Sequence, residues 1–236
     1  MRQNLFLPGW GIPPEAYNAL WSRVCGQEEP HILDYGFFQP ASQFSFSDTG
    51  SFLSGFSGEK VLLGGHSMGA MFSLKIAAQF PERIAALVLF APFARFSSAA
   101  GYPGRDVFGI EAMRRQLASA PSAVLKSFYR AMFLPAKSSL SVPARINAPF
   151  LESGLAFLAD CDVREELGKI VAPTLLLHGA HDAISPAPMS DFVALPLGPL
   201  AEKICLEDAG HALPFTHQEA CAAFAASFLA KRMIPW

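Results

Sequence analysis

The sequence predicts an α/β protein, a mainly parallel sheet flanked by helices and interrupted by a helical insertion. Three observations carry that expectation. Short apolar runs alternate with helical patterns, which is how parallel strands are connected. Within the runs, as in Thr174-Leu175-Leu176-Leu177, apolar residues are nearly continuous, as in strands covered on both faces. From about Arg95 to Glu166 the strand pattern stops, and Gly, Pro and Ser punctuate short helical stretches.

Taken in order, the strand-like runs are Asn4–Leu7, His31–Tyr35, Lys60–Leu63, Ile84–Phe90, Pro173–His178 and Glu202–Leu206. Helical patterns cover Glu15–Val24, Ser67–Gln79, Ser190–Ala194 and Glu219–Arg232, with Ile110–Leu117 and Ala123–Phe133 inside the insertion. This divides the chain into a first core part at 1–94, an inserted helical lid at 95–166 and a second core part at 167–236. The whole is 236 residues, enough for one sizeable core.

Composition narrows the function class. With 51% hydrophobic and 16% charged residues the chain reads as a compact enzyme, and a net charge of −2 gives no field for nucleic acid or anionic lipid. The longest apolar run, Ile84 to Ala94, contains Pro92 and is far too short to span a bilayer. No signal-peptide pattern opens the chain. The four cysteines, Cys25, Cys161, Cys205 and Cys221, lack paired spacing and are expected to be reduced, buried thiols of a cytoplasmic protein. No metal-ligand cluster and no cofactor motif stands out, and a monomer is the favoured state.

The strongest chemical signal is Gly65-His66-Ser67-Met68-Gly69, placed after a strand and opening a helix. A serine on so sharp a turn is lifted into a cleft at the carboxyl end of the sheet. Small residues are needed two positions to either side, where side chains would collide. The Met68 N–H, at the helix start, then faces a developing oxyanion. A helix-capping serine is the bland alternative.

A serine hydroxyl needs a base, and the base needs an orienting acid. The run Leu175 to Asp182 is a strand passing through Gly179 into a turn that ends at Asp182. The run Ile204 to His211 is a strand followed by a loop ending at His211. Both residues fall past strand carboxyl ends, in the chain order Ser, Asp, His. Among rivals, His178 and His181 are expected to pack and His217 to cap or pack. His31 opens a distant strand, and His66 points away from the nucleophile's site. Asp160, Asp162 and Asp208 do not end a strand-Gly turn. The first strand ends in Pro8-Gly9-Trp10-Gly11, so the Trp10 N–H is the second oxyanion donor expected, with the indole lining the cleft.

Together PGWG at 8–11, GHSMG at 65–69, FPERI at 80–84, HGAHD at 178–182 and GHALPF at 210–215 resemble the α/β-hydrolases over essentially the whole chain. Within them the sequence is most similar to the pimeloyl-carrier-protein methyl ester esterases of biotin biosynthesis. The segment Phe128-Tyr129-Arg130-Ala131-Met132, the run Ser153–Leu158 followed by Asp162-Val163-Arg164, and His211–Phe215 followed by His217 carry that likeness. The resemblance implies an esterase acting on a carrier-bound acyl methyl ester. Its substrate would be bound by Trp10, Ser67, Met68, His211 and the lid residues Phe128 to Met132, without a cofactor. Three departures are visible: Pro8 stands where the family usually has His, Met132 where close relatives carry Gln, and the chain begins at what would be the third strand. The last would truncate the N-terminal sheet edge and leave His31–Tyr35 outermost.

Between Arg105 and Arg145 seven basic residues face two acids, a net +5 against −7 elsewhere. Acyl carrier proteins are strongly acidic, so Lys126, Arg130 and Lys137 form a candidate docking surface. A solvated lid with incidental charge bias is the alternative. A generic small-acyl carboxylesterase or thioesterase, or a non-catalytic acyl-binding protein, are the competing functions.

Overall fold

The computed structural model describes residues 3–40, 44–50, 53, 56 and 60–234. Five strands, β1 (Gln3–Leu7), β2 (Val61–His66), β3 (Ile84–Phe90), β4 (Thr174–Gly179) and β5 (Ala201–Leu206), form one sheet in that spatial order, every pair parallel. Strands β2 and β4 are buried at every position, which explains the apolar runs Val61–Leu63 and Leu175–Leu177 within them. Edge strand β5 is mostly half-exposed, and its Cys205 is exposed, so the expectation that all four cysteines are buried fails there. Burial pushes the other three thiols up, Cys25 and Cys221 to about 12 and Cys161 to about 11.

Helices α1 (Asn18–Cys25) and α2 (Met68–Gln79) lie on opposite faces. Successive strand residues point to opposite sides. A side chain at Gly64 would strike the Trp21 indole of α1, whereas one at Gly65 would strike the Ser73 hydroxyl of α2. The expected helix Glu15–Val24 begins as a 3-10 turn, Pro14–Tyr17, before α1.

Between β3 and β4 the chain forms α3 (Val107–Leu117), α4 (Pro121–Phe133) and α5 (Ala148–Asp160), with no strand among the described residues. Helix α3 packs on both α4 and α5. Helix α5 was not among the helical patterns read from sequence. Its signal is Asn147, whose side chain accepts the Phe150 N–H at 3.3 Å, with Pro149 in the first turn. After β4 come α6 (Pro188–Leu197), a short α7 (Leu213–Thr216) and α8 (Gln218–Lys231), which packs on α1.

The strand expected at His31–Tyr35 is reduced to one parallel bridge, Ile32 to Phe6, on the outer side of β1. The Phe6 N–H donates to the His31 carbonyl at 2.8 Å and the Leu33 N–H to the Phe6 carbonyl at 2.9 Å. Pairing stops there because Asp34 folds back to accept the Gly36 N–H at 2.8 Å, and Gly36 has φ 92°. Among the described residues no helix is long and apolar enough to cross a membrane.

Candidate active site

Ser67 sits between β2 and α2 with φ 56° and ψ −117°, a conformation that costs a non-glycine residue strain. The turn is held by the Ser67 N–H donating to the Phe90 carbonyl at 2.9 Å, which ties it to the end of β3. Glycine is required on either side. A Cβ on Gly65 would lie 2.6 Å from the Gly69 carbonyl oxygen, and one on Gly69 would collide with the Leu7 and Pro8 carbonyls.

Asp182 lies in the turn after β4 and His211 in the loop after β5. They are brought together: the His211 Nδ1 is 2.7 Å from Asp182 Oδ2, with both side chains fully buried. The two loops are laced by the His181 N–H donating to the Ala209 carbonyl at 2.9 Å. Asp182 Oδ1 accepts the Ile184 and Ser185 N–H groups, each at 2.8 Å, and the Ser185 hydroxyl donates to Oδ2 at 3.0 Å. Burial pushes the Asp182 carboxyl up, but the His211 charge and hydrogen bonds from His178 and His211 outweigh it, and the group stays well below the usual carboxylate range. With Nδ1–H donating to this carboxylate, His211 presents Nε2 as its basic atom. That nitrogen is buried and has no hydrogen-bond partner among the described residues.

Two buried amides are also unpartnered. Trp10 is 2% exposed and Met68 0% exposed, and among the described residues neither backbone N–H has an acceptor. Unpaired buried N–H groups are rare because each costs roughly 1–3 kcal/mol. The Trp10 indole is fixed by its Nε1–H donating to the Leu151 carbonyl at 2.8 Å, and its ring meets Phe128 edge-on at 5.1 Å.

Ser67 and Trp10 open onto a cavity of about 490 Å³. Its other walls are apolar side chains of the insertion, among them Phe96, Met113, Phe128 and Leu155, with Ile184 from the turn after β4 and the exposed Phe108 at its rim. Arg105 and Asp106 are its charged wall residues. Sequence reasoning found Trp10, Ser67 and Phe128 but missed the rest, which come from segments far apart in the chain.

The segment Phe128 to Met132 does not line a single surface. Five consecutive residues of a helix point in different directions. Phe128 faces the cavity, while Tyr129 and Arg130 border a separate cleft of about 880 Å³. Tyr129 donates its hydroxyl to the Gly11 carbonyl at 2.6 Å. Ala131 is half-buried, and Met132 is fully buried with its carbonyl accepting the Ala212 N–H at 3.1 Å. Met68 and His211 are likewise fully buried, and neither is among the residues that line the cavity. Lys126, Arg130 and Lys137 are exposed, line the second cleft together and form no ion pair among the described residues.

The rival residues are accounted for. Asp162 is gripped by Arg164 at 2.7 Å and Arg95 at 2.8 Å, and these bonds hold its carboxyl down to about 2. Asp208 is exposed and pairs with His217 at 3.2 Å. His181 and His31 are exposed. His178 does pack, but beside the acid: its Nε2 lies 2.7 Å from the Ser185 carbonyl and 3.2 Å from Asp182 Oδ2. Ser185 escaped the sequence reading, although an acid followed by a turn three residues long is a readable signal.

Residues 5–226 match the model of the alpha/beta hydrolase family. A pimeloyl-[acyl-carrier protein] methyl ester esterase of Aromatoleum aromaticum is 27% identical over 237 residues, covering 92% of this chain and 94% of its own. One of Pectobacterium carotovorum is 25% identical over 195 residues, 77% of this chain and 76% of its own. Among solved structures, a bromoperoxidase from Bacillus anthracis superposes with a TM-score of 0.85 at 19% identity, covering 98% of this chain and 92% of that one.

Proposed function

The chain belongs to the α/β-hydrolase family, and on that premise we propose that this hydrolytic enzyme is a serine carboxylesterase with Ser67 as nucleophile, His211 as base and Asp182 as orienting acid. The observation that carries the reading is the buried 2.7 Å contact of His211 Nδ1 with Asp182, taken together with a strained serine that opens onto an apolar cavity. His211 Nε2 takes the Ser67 proton as the oxygen attacks the ester carbonyl. The Trp10 and Met68 amides, otherwise unpaired, receive the oxyanion. Asp182 keeps the proton on Nδ1 and supports the imidazolium. The alcohol leaves with a proton from His211, and a water activated by the same nitrogen releases the acid.

The substrate we assign is the methyl ester of a medium-length acyl chain held on acyl carrier protein, a precursor of biotin. The sequence relatives of that activity support it. So do an apolar cavity of about 490 Å³ and three unpaired cations around the neighbouring cleft. The test is methanol release from pimeloyl-carrier-protein methyl ester, with Ser67→Ala alongside. Turnover that falls at least about a thousandfold in the variant is expected. Absence of turnover, with Ser67-dependent cleavage of nitrophenyl butyrate retained, would leave an esterase of smaller acyl groups and discard the carrier-bound substrate.

A further inference from the structure

A buried chain of hydrogen bonds runs behind the site, through a histidine that the esterase mechanism does not use. The Gly9 N–H donates to the Tyr17 hydroxyl oxygen at 3.0 Å. The Tyr17 hydroxyl lies 2.7 Å from His66 Nδ1. His66 Nε2 lies 2.9 Å from the backbone carbonyl of His211. Tyr17, His66 and His211 are all fully buried.

The direction of every proton follows. A carbonyl oxygen only accepts, so His66 Nε2 carries the hydrogen. A neutral ring then has a lone pair on Nδ1, which takes the Tyr17 O–H. The Tyr17 oxygen is left to accept from Gly9. Burial, with the nearby His211 charge, holds the His66 imidazole well below its ordinary range and keeps it neutral. Burial likewise raises the Tyr17 phenol, which keeps its proton. No member of this chain can turn round without leaving a buried polar atom unpaired.

We propose that Tyr17 and His66 are positioning residues, which lock the loop holding the Trp10 amide and the main chain of His211 into one frame around Ser67. The proposal rests on the assignment of Ser67, His211 and Asp182 above. His66 immediately precedes Ser67, so the frame joins the ends of three strands. Packing agrees with this. A Cβ on Gly9 would lie 3.0 Å from His66 Nδ1 and 3.3 Å from the Tyr17 hydroxyl oxygen, so glycine at that position is what lets the loop close on the pair. The Tyr17 ring is itself held between Phe6, at 4.6 Å, and Phe215, at 5.0 Å.

Tyr17→Phe keeps the ring and removes the link. Its kcat on nitrophenyl butyrate, counted per serine titrated with a fluorophosphonate, is expected to fall by roughly tenfold to a hundredfold with KM within about twofold. The resting protein labelled with nitrogen-15 histidine gives a second readout that needs no turnover. His66 is expected as the neutral Nε2–H tautomer, and the His211 ring signals are expected to move in Tyr17→Phe. Loss of all Ser67-dependent cleavage in the wild type would sink the esterase reading but leave these spectra to decide the frame. Should Tyr17→Phe not fold, His66→Gln and His66→Asn replace it. The glutamine amide reaches where Nε2 lies and the asparagine amide only where Nδ1 lies, so Gln is expected to exceed Asn in kcat by about tenfold. A lowered melting temperature with kcat per titrated serine unchanged, His211 signals unmoved, or Gln and Asn alike would overturn the proposal and leave the chain a packing feature.

Discussion

At Asp182 one carboxylate oxygen meets His211, Ser185 and His178 while the other takes two backbone amides. Such saturation fixes the carboxylate before any substrate arrives. Asp182→Asn would keep the shape but offer an amide hydrogen to His211 Nδ1, driving the proton to Nε2, where it cannot act as a base. The expected loss in kcat is about a thousandfold to ten-thousandfold with folding intact, measured on nitrophenyl butyrate. His66 gives a stability prediction of defined sign. Its folded range lies below the ordinary 6.5, with Tyr17, His211, Asp182 and His178 as the titratable groups around it. Below pH 6.5 the unfolded chain binds a proton that the folded chain refuses. Stability from this group is therefore full above that pH and is lost as pH falls, by up to about 1.4 kcal/mol per pH unit. A shallower dependence of melting temperature on pH between 6.5 and 5 is expected in His66→Gln; an unchanged slope would assign the effect elsewhere. At this scale the sequence names Ser67, Asp182 and His211 through local turn context. His66 reads there as turned away from the chemistry, because its partner His211 is 145 residues distant.

Elements are legible where periodicity is local and obscure where tertiary contacts decide. Strands β3 and β4 are read almost to their ends because burial on both faces leaves a nearly unbroken apolar run, whereas β2 is read only as far as Leu63 and runs on through Gly64, Gly65 and His66, where the apolar run stops. The segment at 31–35 has the composition of a strand, yet its pairing is cut to one bridge by the Asp34–Gly36 turn, a short-range hydrogen bond that competes with the ladder. Helix α5 is hidden by Gly154 in its middle, although Asn147 caps it and Pro149 stands in its first turn. The elbow between β2 and α2 has little room for change. Gly69→Ala would press a methyl group into two carbonyl oxygens at the end of β1, and neither can yield without moving the loop that carries Trp10. A cost of about 2–4 kcal/mol, or roughly 5–15 °C in melting temperature, is expected by calorimetry. A drop under about 2 °C would mean that the elbow relaxes freely, and the account of its strain would fail.

For the whole molecule, charge is separated from chemistry. The sequence shows a basic stretch in the insertion, +5 against −7 elsewhere, but cannot say which cations are free. In the structure Arg114 is paired with Glu152 at 2.5 Å and Arg115 lies 3.9 Å from Glu111. Lys126, Arg130 and Lys137 instead gather around the cleft of about 880 Å³, while Ser67 opens on a different cavity. The cavity itself was not legible because its walls converge from the first loop, the elbow, all three insertion helices and the turn after β4. A carrier protein seated over the basic cleft would present its acyl chain from outside the insertion, and long-range attraction would speed encounter more than it would tighten the final complex. Replacing all three cations by Glu is therefore expected to cut kcat/KM on a carrier-bound ester by tenfold or more at low salt. The deficit should shrink as ionic strength rises and the Debye length falls below about 8 Å. Cleavage of nitrophenyl butyrate, which carries no charge to steer, should stay within about twofold of the wild type, since none of the three lines the cavity at Ser67. Equal losses on both substrates would mean that the substitutions disturb the insertion itself, and an unchanged kcat/KM on the carrier-bound ester would remove the cleft from docking altogether.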